Sequence, residues 1–159
     1  MTNLGLPSSF EVLGGIEAIS PVLNAISVNR VTLDFNEGPQ TVTYSVDASD
    51  ESGINWGAGA NKTNVIVYNS GYRWITGSND QPGKLSTTFD SSDIRSGRWP
   101  IQAIEITDNV NNKLRYSGAQ TAANYGLPAF IYVLADGEST SNITLSKDAS
   151  IANVTENSE

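Results

Sequence analysis

Short strand-forming segments separated by turn residues constrain the fold of this chain more than any other feature. Between residues 40 and 46, Val42, Tyr44 and Val46 alternate with Thr or Ser, the period-two pattern of a strand with one buried face. Gly, Asn, Pro and Ser interrupt the chain between such segments. The predicted strands cover residues 22–28, 31–35, 40–46, 63–68, 72–75, 84–89, 99–107, 113–117 and 129–134. This pattern predicts an all-β antiparallel β-sandwich, with one helical turn at 118–124.

The segment 99–107 has the strongest strand pattern, and it contains a change of register. Its apolar residues are Trp99 and Ile101, followed by Ile104 and Ile106. The interval from Ile101 to Ile104 is one residue longer than a two-residue repeat allows, which predicts a β-bulge. Trp99 begins this segment and is therefore predicted to lie in the core.

The composition excludes several classes of function. The chain of 159 residues has no Cys and no His, so it lacks disulfides, thiolate or imidazole catalysts and the usual zinc ligands. Its formal net charge of −8 argues against a nucleic acid as a partner. It has no apolar run long enough for membrane insertion. Its few Lys residues stand in no motif that would activate a nucleophile, so we expect no enzymatic activity.

An eleven-residue phrase occurs twice in the chain. The sequences NLGLPSSFEVL at 3–13 and NYGLPAFIYVL at 124–134 share six residues in register, at an offset of 121 residues. Glu17 and Glu138 follow the two copies at the same offset. A period of this length is too long for a solenoid repeat and fits one sandwich domain. We therefore predict the end of a preceding repeat and a linker at 1–20, one complete domain at 21–135, and a linker with the start of the next repeat at 136–159.

Five short motifs follow one another along the predicted domain. They are Pro21-Val22-Leu23, Asp50-Glu51-Ser52-Gly53, Ser96-Gly97-Arg98-Trp99, Thr107-Asp108 with Asn112, and Gly126-Leu127-Pro128. In order and spacing they resemble a bacterial immunoglobulin-like repeat of large secreted and surface proteins of the adhesin type. The resemblance covers roughly residues 21–134 and implies an immunoglobulin-like sandwich in an extracellular location, at the bacterial cell surface.

A departure from the pattern of the repeat and a second resemblance at the end of the chain add to this comparison. Where the repeat usually has Gly-Asn in the turn after Asp108, this chain has Asn111-Asn112, and Asn111 is expected to adopt the left-handed conformation. The tail at 149–159 resembles the first strand of a cadherin-like repeat, which would open the next module.

Oxygen-rich loops supply the candidate metal ligands. Two loops expected to meet at one end of the sandwich carry carboxylate and amide side chains, and calcium prefers such oxygen ligands. In the linkers, Glu17 and Glu138 could hold an ion that stiffens a domain junction, as the cadherin comparison implies. The candidate calcium ligands are Asp47, Asp50, Glu51, Asp108, Asn109, Asn112, Glu17 and Glu138. The alternative is that the Asp and Asn side chains only hydrogen-bond to their own turns.

Aromatic residues in the middle of the chain form a second candidate site. Exposed Trp56, Tyr72 and Trp74 would offer a surface on which sugar rings stack. The alternative is that Trp74 and Tyr68 fill the core, as large aromatic residues mostly do, and this is the expectation for both. Trp56 stands in the Gly-rich loop INWGAGAN and is expected to be the most exposed of them.

The function expected from the sequence is that of a structural or adhesion repeat module of a large extracellular bacterial surface protein, rigidified by calcium. Its partners would be neighbouring repeats of the same chain, and a glycan or another surface ligand. Two alternatives remain open, a carbohydrate-binding module that uses the exposed aromatics and an accessory domain of a secreted hydrolase. Further copies of the domain at the same period would favour the structural module.

Overall fold

The strands of the computed structural model follow the pattern of the sequence closely. The model describes residues 18–59, 61–68, 71–90 and 96–134. Its strands are β1 Val22–Val28, β2 Thr32–Asp34, β3 Gln40–Ser49, β4 Asn64–Tyr68, β5 Tyr72–Gly77, β6 Lys84–Phe89, β7 Gly97–Thr107, β8 Lys113–Ser117 and β9 Phe130–Leu134. A 3-10 helix, Phe35–Glu37, follows β2, and helix α1, Gly118–Tyr125, follows β8. The prediction of an all-β fold is confirmed.

The nine strands of the described residues form one curled sheet in the order β1-β3-β6-β5-β4-β7-β9-β2, and β8 adds to β7. All pairings are antiparallel except that of β2 with β9. Strand β7 is the longest and joins the two halves of the sheet. Residues 97–100 of β7 pair with β9, whereas the residues from 101 onwards pair with β4 and β8. Among the described residues, no helix has the length and apolar character needed to cross a membrane.

The predicted bulge lies in β7. Ile66 of β4 pairs with Ala103, and the next residue, Val67, pairs with Ile101, so that Gln102 is left over. The bulge shifts the register at the point where β7 changes partners. Downstream of it both faces of β7 are buried, which explains why the apolar residues no longer alternate with polar ones.

The concave side of the curled sheet holds the apolar core. In β3, Val42, Tyr44 and Val46 are buried and the Thr and Ser residues between them face outward, as the alternation predicts. Trp99 lies in this core with 2% of its surface exposed, and its ring contacts Phe89 edge-to-face at a centroid distance of 5.5 Å. Burial raises the pKa of the Tyr44 hydroxyl, so this group stays protonated and neutral in the core.

Helix α1 closes the side of the sheet between β8 and β1. Ser117 and Gln120 form a capping box at its start. Gly118 is required there because a Cβ atom at this position would lie 2.0 Å from the carbonyl oxygen of Ile101. At the other end of the helix, the Tyr125 hydroxyl donates to the carbonyl of Leu23 at 2.9 Å and ties the helix to β1.

The chain enters and leaves the domain at opposite ends. At the N-terminal pole, Val22 at the start of β1 pairs with Ser49 at the end of β3, and β7 also ends there. At the C-terminal pole, Leu134 at the end of β9 pairs with Asp34, next to the start of β7. The eleven residues of β7 run from the C-terminal pole to the N-terminal pole, a distance of about 33 Å for an extended strand. The two chain connections are therefore separated by the full length of the domain.

The predicted flanking segments fall almost entirely outside the described residues. This holds for the first copy of the repeated phrase at 3–13, for the linker residues Glu17 and Glu138, and for the tail at 136–159. The second copy of the phrase begins in α1 and ends as β9. The division into a preceding repeat, one domain and a following repeat stays a prediction.

Candidate functional site

The two loops that carry the candidate calcium ligands lie together at the N-terminal pole. Ile54 and Asp108 form an isolated β-bridge between them. The Asn109 side-chain amide donates to the carbonyl of Ser52 at 2.8 Å, and the Asn109 backbone N–H donates to the carbonyl of Gly53 at 3.0 Å. The loop after β3 is thus joined to the turn between β7 and β8 by direct hydrogen bonds.

The Asp108 carboxylate is buried and its hydrogen bonds are internal to its own turn. One oxygen accepts from the backbone N–H groups of Val110 and Asn112, at 2.9 and 2.7 Å. The other accepts from the side-chain amide of Asn112 at 2.8 Å. Asn111 has φ of 72°, which confirms the predicted left-handed conformation. Asp108 therefore organises the turn, and both of its oxygens point to protein donors.

The remaining candidate ligands do not complete a cation site in the described part of the chain. Asp50 accepts from the backbone N–H and the hydroxyl of Ser52, at 2.9 and 2.7 Å, and so also caps its own loop. Glu51 is exposed, and Asp47 lies on the exposed side of β3 near Asn24. Across residues 18–59, 61–68, 71–90 and 96–134, no three His, Cys, Asp or Glu side chains converge to hold a metal. Calcium binding by these two loops stays a prediction.

The aromatic candidates lie differently from the expectation. Trp74, expected in the core, is 43% exposed, and Tyr72 is 55% exposed. They are two residues apart on the outer face of β5, with ring centroids 6.3 Å apart and an interplanar angle of 47°. Trp56, expected to be the most exposed, is half-buried and packs against the core. The core position of β5 is occupied by Ile75, which is why Trp74 faces outward.

A feature that the sequence reasoning missed is an apolar surface at the N-terminal pole. Ile19, Val22 and Val110 are between 42% and 67% exposed, the first two where the chain enters β1 and the third in the turn after β7. Ile19 and Val22 line a shallow groove of about 300 Å³ together with Asp50 and Glu51. The signal in the sequence was Val110, an apolar residue in the otherwise polar turn DNVNN. We refer to Ile19, Val22 and Val110 as the N-terminal apolar patch.

Comparison of this chain with protein-family models, with curated proteins and with solved structures gave no match.

Proposed function

We propose that this domain is a structural repeat module of a large extracellular bacterial surface protein, which extends that protein and transmits tension along it. The observation that carries the proposal is the position of the two chain connections, at opposite poles of the domain. Modules with this arrangement add their full length when they follow one another in a chain. A domain whose termini lie side by side would add little length.

The immunoglobulin-like part of the proposal is supported by the strand pairings. The sequences of neighbours β1-β3-β6 and β4-β7-β9 correspond to the two groups of strands in an immunoglobulin sandwich, A-B-E and C-F-G. The parallel pairing of β2 with β9 places a short strand beside the last one. Strand β8 and helix α1, inserted between β7 and β9, are additions to that arrangement.

The terminal strands are held in a way that suits a load applied along the chain. Strand β9 is pulled from the C-terminal pole, and it lies between β2, parallel, and β7, antiparallel. Strand β1 is pulled from the N-terminal pole and pairs with β3 at six positions. In the antiparallel pairs β1–β3 and β7–β9 the ladder hydrogen bonds are perpendicular to the strands, so a force along the strands loads the bonds of each pair together.

Single-molecule force measurements on the full chain test this proposal. Because the chain has no Cys, an introduced cysteine is a unique attachment point. Pulling between the two termini should need a higher unfolding force than pulling between the N-terminus and Glu51→Cys, which separates β1 from β3 at their common end. Forced unfolding reports the unfolding barrier in each direction. Equal forces in the two directions would contradict a tension-bearing role.

Calcium stays in this proposal only at the junctions between modules. Among the described residues no three acidic side chains converge, and the other two candidates, Glu17 and Glu138, lie outside the described residues. Both positions fall in the linkers predicted from the repeated phrase, where an ion would join neighbouring modules.

The exposed pair Tyr72 and Trp74 favours one second function, binding of a glycan at the side of the module. Two outward rings 6.3 Å apart on one strand offer adjacent apolar faces to sugar rings. On a glycan array, the wild-type chain should bind a defined set of sugars, and both Tyr72→Ala and Trp74→Ala should lose that signal. Val110→Ala, an exposed apolar residue at the N-terminal pole, serves as the control. An array without signal for the wild-type chain would remove this function.

A further inference from the structure

The N-terminal apolar patch concentrates exposed apolar surface at one end of the domain. In the described chain five large apolar residues are exposed. Three of them form this patch, and the other two are Tyr72 and Trp74 on β5. All three lie at the same pole, and Ile19 and Val22 share a groove with Asp50 and Glu51. Exposed apolar side chains with a polar rim are typical of a contact surface. The occupant of this surface can be inferred from the chain that leads into it.

The repeated phrase limits how far away a preceding module can lie. Leu13 corresponds to Leu134, the residue at which β9 ends. If the phrase marks the end of each repeat, the sequence of a preceding repeat ends at Leu13. Ala18 already belongs to the described domain, and the Ser20 hydroxyl donates to the carbonyl of Lys113 at 3.4 Å. The five residue steps from Leu13 to Ala18 span at most about 17 Å, so the facing ends of the two modules lie within that distance.

We propose that the N-terminal apolar patch is the docking surface for the C-terminal pole of a preceding copy of this domain. The inference rests on the proposed function, because it requires copies of the domain in series. In this contact, the three apolar side chains of one module meet the preceding module at the end of its β9 and at its 3-10 helix, Phe35–Glu37. Burial of the three side chains would make the junction stiff, so that successive modules keep a common axis.

The charges at the two poles predict how this contact responds to salt. Asp50 and Glu51 lie beside Ile19 and Val22 of the N-terminal apolar patch, and Glu37 is exposed at the C-terminal pole. In the proposed docked arrangement these carboxylates of two modules would face each other across the junction and repel. Added salt screens this repulsion and leaves the apolar contact, so the association should strengthen with ionic strength.

The contact can be detected between separate copies of the full chain by paramagnetic relaxation. A nitroxide is attached at Glu37→Cys, the only cysteine of that variant, and the labelled protein is mixed with ¹⁵N-labelled wild-type protein. A concentration of about 1 mM per chain approaches what a short linker supplies within one molecule. The amide signals of Ile19, Val22 and Val110 should lose most of their intensity, whereas the signal of Thr88, on the side wall of the sheet, should not. The loss should increase when NaCl is raised.

Matched variants make the result specific. Val110→Ser in the ¹⁵N-labelled chain should reduce the loss at Ile19 and Val22, and Thr88→Ala, also exposed, should leave it unchanged. Intensity loss spread evenly over the surface, or none, would overturn the docking proposal. Loss centred on the residues around Glu37 would overturn it too, since like poles would then meet. If docking is absent while the two pulling directions still differ in force, the structural module stands and its junctions are undocked.

Discussion

Replacement of Trp99 by alanine should lower the free energy of unfolding by about 3–5 kcal/mol, the usual cost of truncating a buried aromatic residue. The side chain is 2% exposed, and its ring contacts Phe89 edge-to-face. It also stands in the part of β7 that pairs with β9, so the cavity would open beside the last strand of the domain. Chemical denaturation followed by circular dichroism measures the change.

The matched control is Trp74→Ala, which removes the same side chain from the outer face of β5. Trp74 is 43% exposed, and surface substitutions usually change stability by about 0.5 kcal/mol or less. Thermal melts should therefore separate the two variants clearly, because about 3 kcal/mol corresponds to roughly 10 °C for a domain of this size. Similar melting temperatures for Trp99→Ala and Trp74→Ala would contradict the assignment of Trp99 to the core.

Sequence reasoning succeeded for Trp99 and for the local features of the chain. The strands were predictable because alternation and turn chemistry are local properties, and the bulge in β7 followed from a single extra residue between Ile101 and Ile104. The left-handed Asn111 was predictable for the same reason, since few residue types other than Gly tolerate that conformation.

The orientation of β5 was not predictable from its own residues. Tyr72, Trp74 and Ile75 are all apolar and occupy both faces of the strand, so a period of two does not identify the buried face. The choice is made by neighbours distant in sequence. Ile75 pairs with Val65, whose side chain is in the core, and Trp74 pairs with Ile66 on the opposite face. The position of Trp56 depends equally on how its loop folds back onto the core.

The meeting of the two acidic loops was predictable, whereas the state of their carboxylates was not. Strands β3 and β7 are separated in the sheet by β6, β5 and β4, but both end at the N-terminal pole, where the curl of the sheet brings their loops together. Whether a carboxylate in such a loop faces an ion or a backbone N–H depends on turn geometry over four or five residues. In the turn after β7, the backbone N–H groups of Val110 and Asn112 both donate to Asp108, an arrangement that the sequence did not specify.

Replacement of Asp108 by alanine should therefore destabilise the domain by about 3 kcal/mol, since hydrogen bonds to a charged group contribute about 1.5–3 kcal/mol each. The substitution leaves two backbone N–H groups and the Asn112 side-chain amide without their acceptor. It also loosens the turn from which Asn109 reaches the loop after β3. The loss should be the same in calcium and in a chelator, because this carboxylate acts on its own turn. Urea denaturation in both solutions measures it.

Two further variants make this test specific. Asp50→Ala removes an acceptor of only Ser52 in a half-buried loop, so it should cost about 1 kcal/mol. Asp108→Asn keeps one oxygen for the backbone donors, and the Asn112 amide can turn its oxygen toward the new NH₂ group, so most of the stability should return. A calcium ligand would behave in the opposite way, because the cost of losing Asp108 would then appear only when calcium is present. Full stability of Asp108→Ala in the chelator would contradict the structural role of this carboxylate and restore the ion to the N-terminal pole.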